Sequence, residues 1–316
     1  MENYQPLRFK FHGSGGTLFE IIFLNLILIV LTLGIYYPWA RAKMMQYLYG
    51  ELELDRSRFQ FHGTGKEMFL GFLKSILVVA VLYGLLMLIQ FAPNTTIMLI
   101  ALAAYAVGIV IIIPIAIHGT LRYRMSRTSY KGIHFGYRGN RNEFIKLFVI
   151  NTLLTIITLG FYGPWQTVNL RKYIISHIRL GSVSLDYDGS GKSLFLLHLK
   201  GIILTIITFG LYFFIYMRDI YRFNINHILV KQNDTYFRVK TDISAVHIFV
   251  VFLATYASLL TLGLALPWVI IYNYQVFFGS ISIEAGFDTN QLLQTEAEYT
   301  DATGEDLSDM LDVGLV

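Results

Sequence analysis

A short pattern returns along this chain and limits what it can fold into. RFKFHGSGGTLF (8–19), RFQFHGTGKEMF (58–69), IHFGYRGNRNEF (133–144), SLDYDGSGKSLF (184–195) and, more weakly, YFRVKTDISAVHIF (236–249) each set alternating residues before a turn and an apolar run. Alternation at period two makes a strand, and glycine permits a tight turn. In the first copy Thr17 and Glu20 have the spacing of a capping box. Five related units are therefore expected, each a strand, a turn, an apolar helix, a second helix and a strand.

One copy, GSGKS (189–193), also looks like a phosphate-binding loop. The full loop needs a further glycine where this chain has Asp186, and the slot of Lys192 is Gly16, Lys66 and Asn142 in the other copies. The turn is expected to be structural, and neither a nucleotide nor any other cofactor is expected.

A second element closes the apolar part of a unit: TLGIYYPW (32–39), TLGFYGPW (158–165) and TLGLALPW (261–268), with TFGLYFFIYM (208–217) lacking Pro-Trp. Gly ends one helix and Pro starts the next. Trp and Tyr favour headgroup level, so the helix that follows, with Arg41 and Lys43 or Arg171 and Lys172, is expected to lie along the interface. ELELDRSRFQF (51–61) reads as a hairpin between units.

The chain is 55% hydrophobic and 15% charged, the balance of a membrane protein. Apolar runs at 21–37, 75–92, 96–117, 147–165, 201–217 and 246–271 give six expected spans, the second and third joined through APNTT (92–96). The expected fold is mainly α and polytopic, about six transmembrane helices with short β-hairpins between them. No cleavable signal is expected, so the first run stays as an anchor. Cysteine is absent. Residues 1–287 are read as the membrane domain and 288–316 as an acidic, disordered tail in which Leu307, Met310 and Leu311 could dock into a protein partner.

RFKFHGSGG, TLGIYYPWAR and RFQFHGTGKEMFLGF together resemble the YjgN-type family of bacterial inner-membrane proteins, over residues 8 to about 285. The resemblance implies location and architecture, and it brings no catalytic residues.

With six spans, the segments between the first and second, third and fourth, and fifth and sixth hold 18 Lys and Arg against 7 on the opposite side. They would face the cytoplasm, with both termini outside. The alternative, in which all copies share one sheet and each unit returns through a bent pair of helices, is disfavoured by charges close behind the bend.

Arg218, Asp219 and Arg222 form the most charged cluster beside an apolar run and are the candidate polar or ion site. Arg41, Lys43, Arg122, Arg124, Arg171 and Lys172 are the candidate lipid-headgroup contacts. Lys74, Lys146 and Lys200 read as snorkelling, and His118 as interfacial. His177 and His227 fall in equivalent slots, without a ligand set that sequence can assemble. Membrane lipids are the expected partners; a second copy of the chain is left open, and nucleic acid is not expected. No complete catalytic motif appears. The expected function is transport or binding of a small solute or lipid, with an envelope organiser that binds anionic lipid or protein as the alternative.

Overall fold

A computed structural model describes residues 5–295. The chain runs through five successive modules of strand, helix, helix and strand. The first comprises β1 (Leu7–Phe11), α1 (Gly15–Leu31), α2 (Tyr37–Gly50) and β2 (Leu52–Leu54). The second has β3 (Ser57–Phe61), α3 (Gly65–Gln90), α4 (Thr95–Ser126) and β4 (Thr128–Tyr130). The third has β5 (Ile133–Tyr137), α5 (Arg141–Ile157), α6 (Gly163–Ser176) and β6 (Ile178–Leu180). The fourth has β7 (Val183–Tyr187), α7 (Gly191–Ile207), α8 (Phe213–Asn226) and β8 (Ile228–Gln232). The fifth has β9 (Thr235–Thr241), α9 (Ala245–Leu260), α10 (Leu266–Gly279) and β10 (Ile281–Ile283).

All ten strands close into one antiparallel barrel in chain order, with β1 sealed against β10 through Leu7 opposite Ile283 and Arg8 opposite Ser282. This overturns the expected six-span architecture. A strand pair joined inside one barrel cannot have its members on opposite faces of a membrane, so each helix pair leaves the barrel and comes back to it. Among the described residues only α3 and α4, with 26 and 32 residues, are long and apolar enough to be candidate spans. The expected alternation of sides falls with it. The second helices pack within a ring: α2 lies between α1 and α3, α6 between α5 and α7, and α10 closes the ring on α1.

Alternation in the strands sorts the barrel. Phe9, Leu54, Phe59, Tyr130, Val183, Val230, Val239 and Ile283 share one interior core, while Arg8 points out to Asp242 at 2.9 Å. Phe59 lies 4.7 Å from Tyr130 and 6.2 Å from Phe9, centroid to centroid, so side chains fill the bore. At the end away from the helices, tight turns join the modules. Asp55 and Arg56 take φ of 46° and 58°, Lys131 and Gly132 of 51° and 76°, and Asn233 and Asp234 of 47° and 62°. Paired left-handed residues of this kind match the twist of a two-residue hairpin. Residues 284–295 run across this end as a strap: Phe287 and Leu292 join the interior core. Gln232 Nε2 donates to Asp288 O at 2.8 Å, and Ser182 N donates to Leu293 O at 2.8 Å. The acidic segment was expected to begin at 288; residues 288–295 belong to the strap, and Leu307, Met310 and Leu311 lie outside the described residues.

The two recurring sequence elements meet each other. A Cβ added at Gly15 would lie 2.3 Å from Trp268 Cδ1, at Gly65 2.3 Å from Trp39 Cδ1, and at Gly191 2.4 Å from Trp165 Cδ1. The Trp of one module thus rests on the first helical residue of the next. After α4 and α8, which have Ile115 and Ile215 in the Trp slot, the corresponding residues are Arg141 and Ala245. Gly189 in turn lies under the ring of Tyr187, 2.6 Å from an added Cβ. Both glycines of GSGKS serve packing, and Ser190 caps α7 by accepting from Ser193 N at 3.2 Å. The capping box expected at Thr17 and Glu20 does not form, because α1 already starts at Gly15 with Ser14 as N-cap; such boxes occur at Thr64 with Glu67 and at Ser244 with His247.

Four of the second helices carry a proline in one register. Pro38, Pro164 and Pro267 open α2, α6 and α10, each thirteen residues before the C-cap. Pro114 lies thirteen residues before Arg127, the C-cap of α4, but inside the helix. The last part of α4 therefore corresponds to a whole second helix, and the remainder is extension.

Candidate functional site

The helix ring leaves a cavity of about 480 Å³ between α1, α2, the end of α4 and α10. Ile22, Leu26 and Ile29 of α1 make an apolar wall, interrupted by Asn25. Spaced at i, i+3, i+4 and i+7, these residues share one face of α1, a helix whose other faces, with Phe23, Leu24, Ile27 and Leu28, are apolar as well. Arg41 and Arg124 line it as well, together with Tyr49 and Tyr274. Arg124 occupies the last turn of α4, where a cation complements the helix dipole. Arg41 donates to Tyr37 Oη, one turn earlier, at 3.5 Å. Neither guanidinium is paired with a carboxylate among the described residues. An apolar wall in one cavity with two unneutralised guanidiniums is suited to a molecule with a hydrocarbon part and an anionic head.

The cluster expected at the end of the fifth run divides. Arg218 donates from Nε and Nη2 to Asp219 Oδ1 at 2.8 and 2.7 Å, whereas Arg222 donates from Nε and Nη2 to the Ile243 carbonyl at 3.0 and 2.6 Å. Among the six headgroup candidates, the cavity takes Arg41 and Arg124 only. Lys43 Nζ lies 5.7 Å from the Tyr36 ring centroid. Arg122 is on α4, and Arg171 and Lys172 are on α6, with Arg171 close enough to Tyr187 to affect it electrostatically. His177 and His227 each donate from Nδ1 to the carbonyl four residues earlier, Tyr173 O and Phe223 O, at 2.7 Å. Their shared slot is that of a helix C-cap. His118 is buried, its Nε2 bonded to Gly139 O at 2.9 Å.

A second polar group, not foreseen from sequence, lies inside the third hairpin. Asn169 Nδ2 donates to Asn151 Oδ1 at 2.8 Å, and Asn151 Nδ2 to Leu147 O at 2.7 Å. Gln166 joins Thr152 and Thr155 at 3.0 and 2.6 Å. The signal was present: Asn25 and Asn151 both stand twelve residues after the glycine that follows their strand, and both are buried.

A closed barrel bearing a ring of apolar helical hairpins, one of them long enough to cross, with a cation-lined cavity within the ring, defines an integral membrane protein. The family model described as "Bacterial protein of unknown function (DUF898)" matches residues 6–142, 136–215 and 201–310, and the chain belongs to this family. Among similar proteins, an inner membrane protein YjgN of Salmonella typhimurium is 29% identical over 167 residues, covering 48% of this chain and 40% of its own length. The inner membrane protein YjgN of Escherichia coli K12 is 30% identical over 152 residues, covering 48% and 36%. That of Escherichia coli O157:H7 is 35% identical over 129 residues, covering 41% and 30%. The chain thus spans at most two fifths of the length of these relatives. No solved structure matches. The chain is a bacterial inner-membrane protein, and neither the family description nor the relatives' names state a reaction.

Proposed function

We propose that the chain binds an anionic amphiphile of the inner membrane, a phospholipid or a lipid-linked intermediate, in the cavity between α1, α2, α4 and α10. The observation that carries this reading is that Arg41 and Arg124 line the same cavity as Ile22, Leu26 and Ile29. Two guanidiniums at the rim of an apolar space hold phosphate oxygens by charge-assisted bonds while the wall takes the chains. The filled bore of the barrel favours binding over conduction along the barrel axis. We also read the five modules as copies of one ancestral unit, supported by the common register of Pro38, Pro114, Pro164 and Pro267.

The test is native mass spectrometry of protein exchanged into mixed micelles of phosphatidylglycerol and phosphatidylcholine. Preferential retention of the anionic lipid, reduced at least tenfold by Arg41→Gln with Arg124→Gln, is the expected result. Equal retention of the two lipids, or a doubly substituted protein that keeps the preference, sinks the reading.

A further inference from the structure

Four of the five helical hairpins end in a turn made of apolar side chains. Leu33, Leu159, Phe209 and Leu262 are 94%, 89%, 98% and 95% exposed. Each has a positive φ of 50–52°, each precedes a glycine, and none has a charged neighbour in its turn. In water such tips would be four separate patches of bare hydrocarbon.

Their backbone is arranged for a medium without water. In the first tip Thr32 N donates to Leu28 O, Leu33 N to Val30 O, Gly34 N to Ile29 O and Ile35 N to Thr32 O, all at 2.8–3.2 Å. Thr32 Oγ1 donates to Leu28 O at 2.7 Å and accepts from Tyr36 N at 3.0 Å. Thr158, Thr208 and Thr261 accept in the same way from Tyr162, Tyr212 and Ala265 at 3.0, 2.9 and 3.0 Å. A turn that bonds its own amides internally meets the main condition for sitting in hydrocarbon. The tip between α3 and α4 differs: it presents Pro93, Asn94, Thr95 and Thr96, and Asn94 Oδ1 caps α4 from Ile97 N at 2.9 Å.

Length decides how far each tip reaches. At about 1.5 Å per residue, the 17 residues of α1 and the 14 of α2 extend about 26 and 21 Å, whereas the 26 of α3 extend about 39 Å. Glu20, Lys146 and Lys200 mark the lower limit of hydrocarbon on α1, α5 and α7. Beyond them those helices have 11, 11 and 7 residues, or about 10–16 Å of uncharged hairpin. That is about half or less of a core about 30 Å thick, and the 16 residues of α9, which include no Asp, Glu, Lys or Arg and extend about 24 Å, also fall short of it.

We infer that the four short hairpins are re-entrant, with their tips among the acyl chains of a single leaflet, and that α3 and α4 alone cross the bilayer. The leaflet is the cytoplasmic one. Residues 21–40, 75–121, 147–170, 201–217 and 248–283 contain no Asp, Glu, Lys or Arg, so all 25 basic residues lie on the barrel side of the tips. The positive-inside rule places that side, and with it the barrel, in the cytoplasm.

The chain has no cysteine, so single-cysteine variants report position directly. Ile35→Cys, Phe161→Cys, Leu211→Cys and Leu264→Cys place a thiol at each short tip, Pro93→Cys at the long one and Thr235→Cys on a barrel turn. With a small membrane-impermeant maleimide, the expected pattern is labelling of the Pro93 variant in intact cells and of the Thr235 variant only in inverted vesicles. The four short-tip variants label in neither and react fully after denaturation in SDS. Labelling of a short tip from outside shows a full crossing, and from inside shows a tip in water; either overturns the inference. A reversed pattern for Pro93 and Thr235 overturns the orientation.

Discussion

Trp268 of α10 lies against the backbone of Gly15 at the start of α1, so closely that a methyl group on Gly15 would come 2.3 Å from Trp268 Cδ1. This contact joins the last module to the first and repeats between Trp39 and Gly65 and between Trp165 and Gly191.

Substituting Gly191→Ala should therefore destabilise the protein by about 1–3 kcal/mol, the usual range for overpacking. Trp165 cannot swing clear, because its own Cα is 2.9 Å from the added atom. Lys192→Met should leave stability unchanged. Thermal unfolding in detergent of both variants, of Trp165→Ala and of Gly191→Ala combined with Trp165→Ala measures this; the combined loss should be smaller than the sum of the two single losses.

Tyr130 is enclosed in the barrel and donates from Oη to the Leu54 carbonyl at 2.7 Å. Burial lifts its pKa from about 10 to about 12. The neutral phenol is the form that the fold favours, so this contribution to stability is complete below pH 10 and is lost as pH rises from about 10 to about 12. Burial raises Tyr137 and Tyr221 as well, so ultraviolet titration should show several tyrosines ionising late and one fewer of them in Tyr130→Phe. That substitution should lower stability by about 1–3 kcal/mol, since the Leu54 carbonyl loses a buried donor.

The strap is fastened by Lys131 Nζ, which donates to Asp55 Oδ2, Thr289 Oγ1 and Asn290 Oδ1 at 3.1, 2.6 and 3.0 Å. Thr289 also donates to Asp55. These partners, the Thr289 hydrogen bond first and Lys131 after it, hold the Asp55 carboxyl below its ordinary value of 3.8. A depressed carboxylate stabilises at pH above its unfolded value and stops doing so as pH falls through the folded one. Protection against hydrogen exchange in residues 284–295, relative to the intrinsic rate at each pH, should therefore fall below pH 4 more than protection in β7 and β8 does. Asp55→Asn should show the lower protection already at neutral pH.

Asn151 and Asn169 satisfy each other between α5 and α6. Replacing Asn151 alone by Leu leaves the Asn169 amide only its longer bond to Tyr162 Oη, at 3.4 Å, and replacing both leaves an apolar seam. Within an apolar hairpin such bonds contribute about 0.6 kcal/mol on average, so the single variant should be less stable than the double one by about 1 kcal/mol or more. Unfolding of the two in the same detergent is the check.

Much of the local structure was legible. The alternating strands, the Asp55 turn, the Gly34 and Pro38 bend and the uncharged APNTT loop are fixed by nearest neighbours, and each appears where the residues call for it. The assembly was not legible, because it rests on pairings such as Leu7 with Ile283, whose sequence separation leaves no local trace. The side of the membrane was misjudged at Arg41 and Lys43. Their charges stand too near the bend for a helix that must cross again, but α2 only returns to the barrel it came from. The cavity was half legible: Arg41 and Arg124 were each marked by position beside an apolar run, whereas their sharing one cavity depends on where the fold brings the end of α4.

Pro114 keeps the register of its counterparts although α4 continues beyond it. Hairpin length is thus uncoupled from strand pairing below. A chain built on this plan can acquire or shed membrane crossings two at a time, by lengthening or trimming one loop of the crown, while its base, its seam and the compartment of its ends stay as they were.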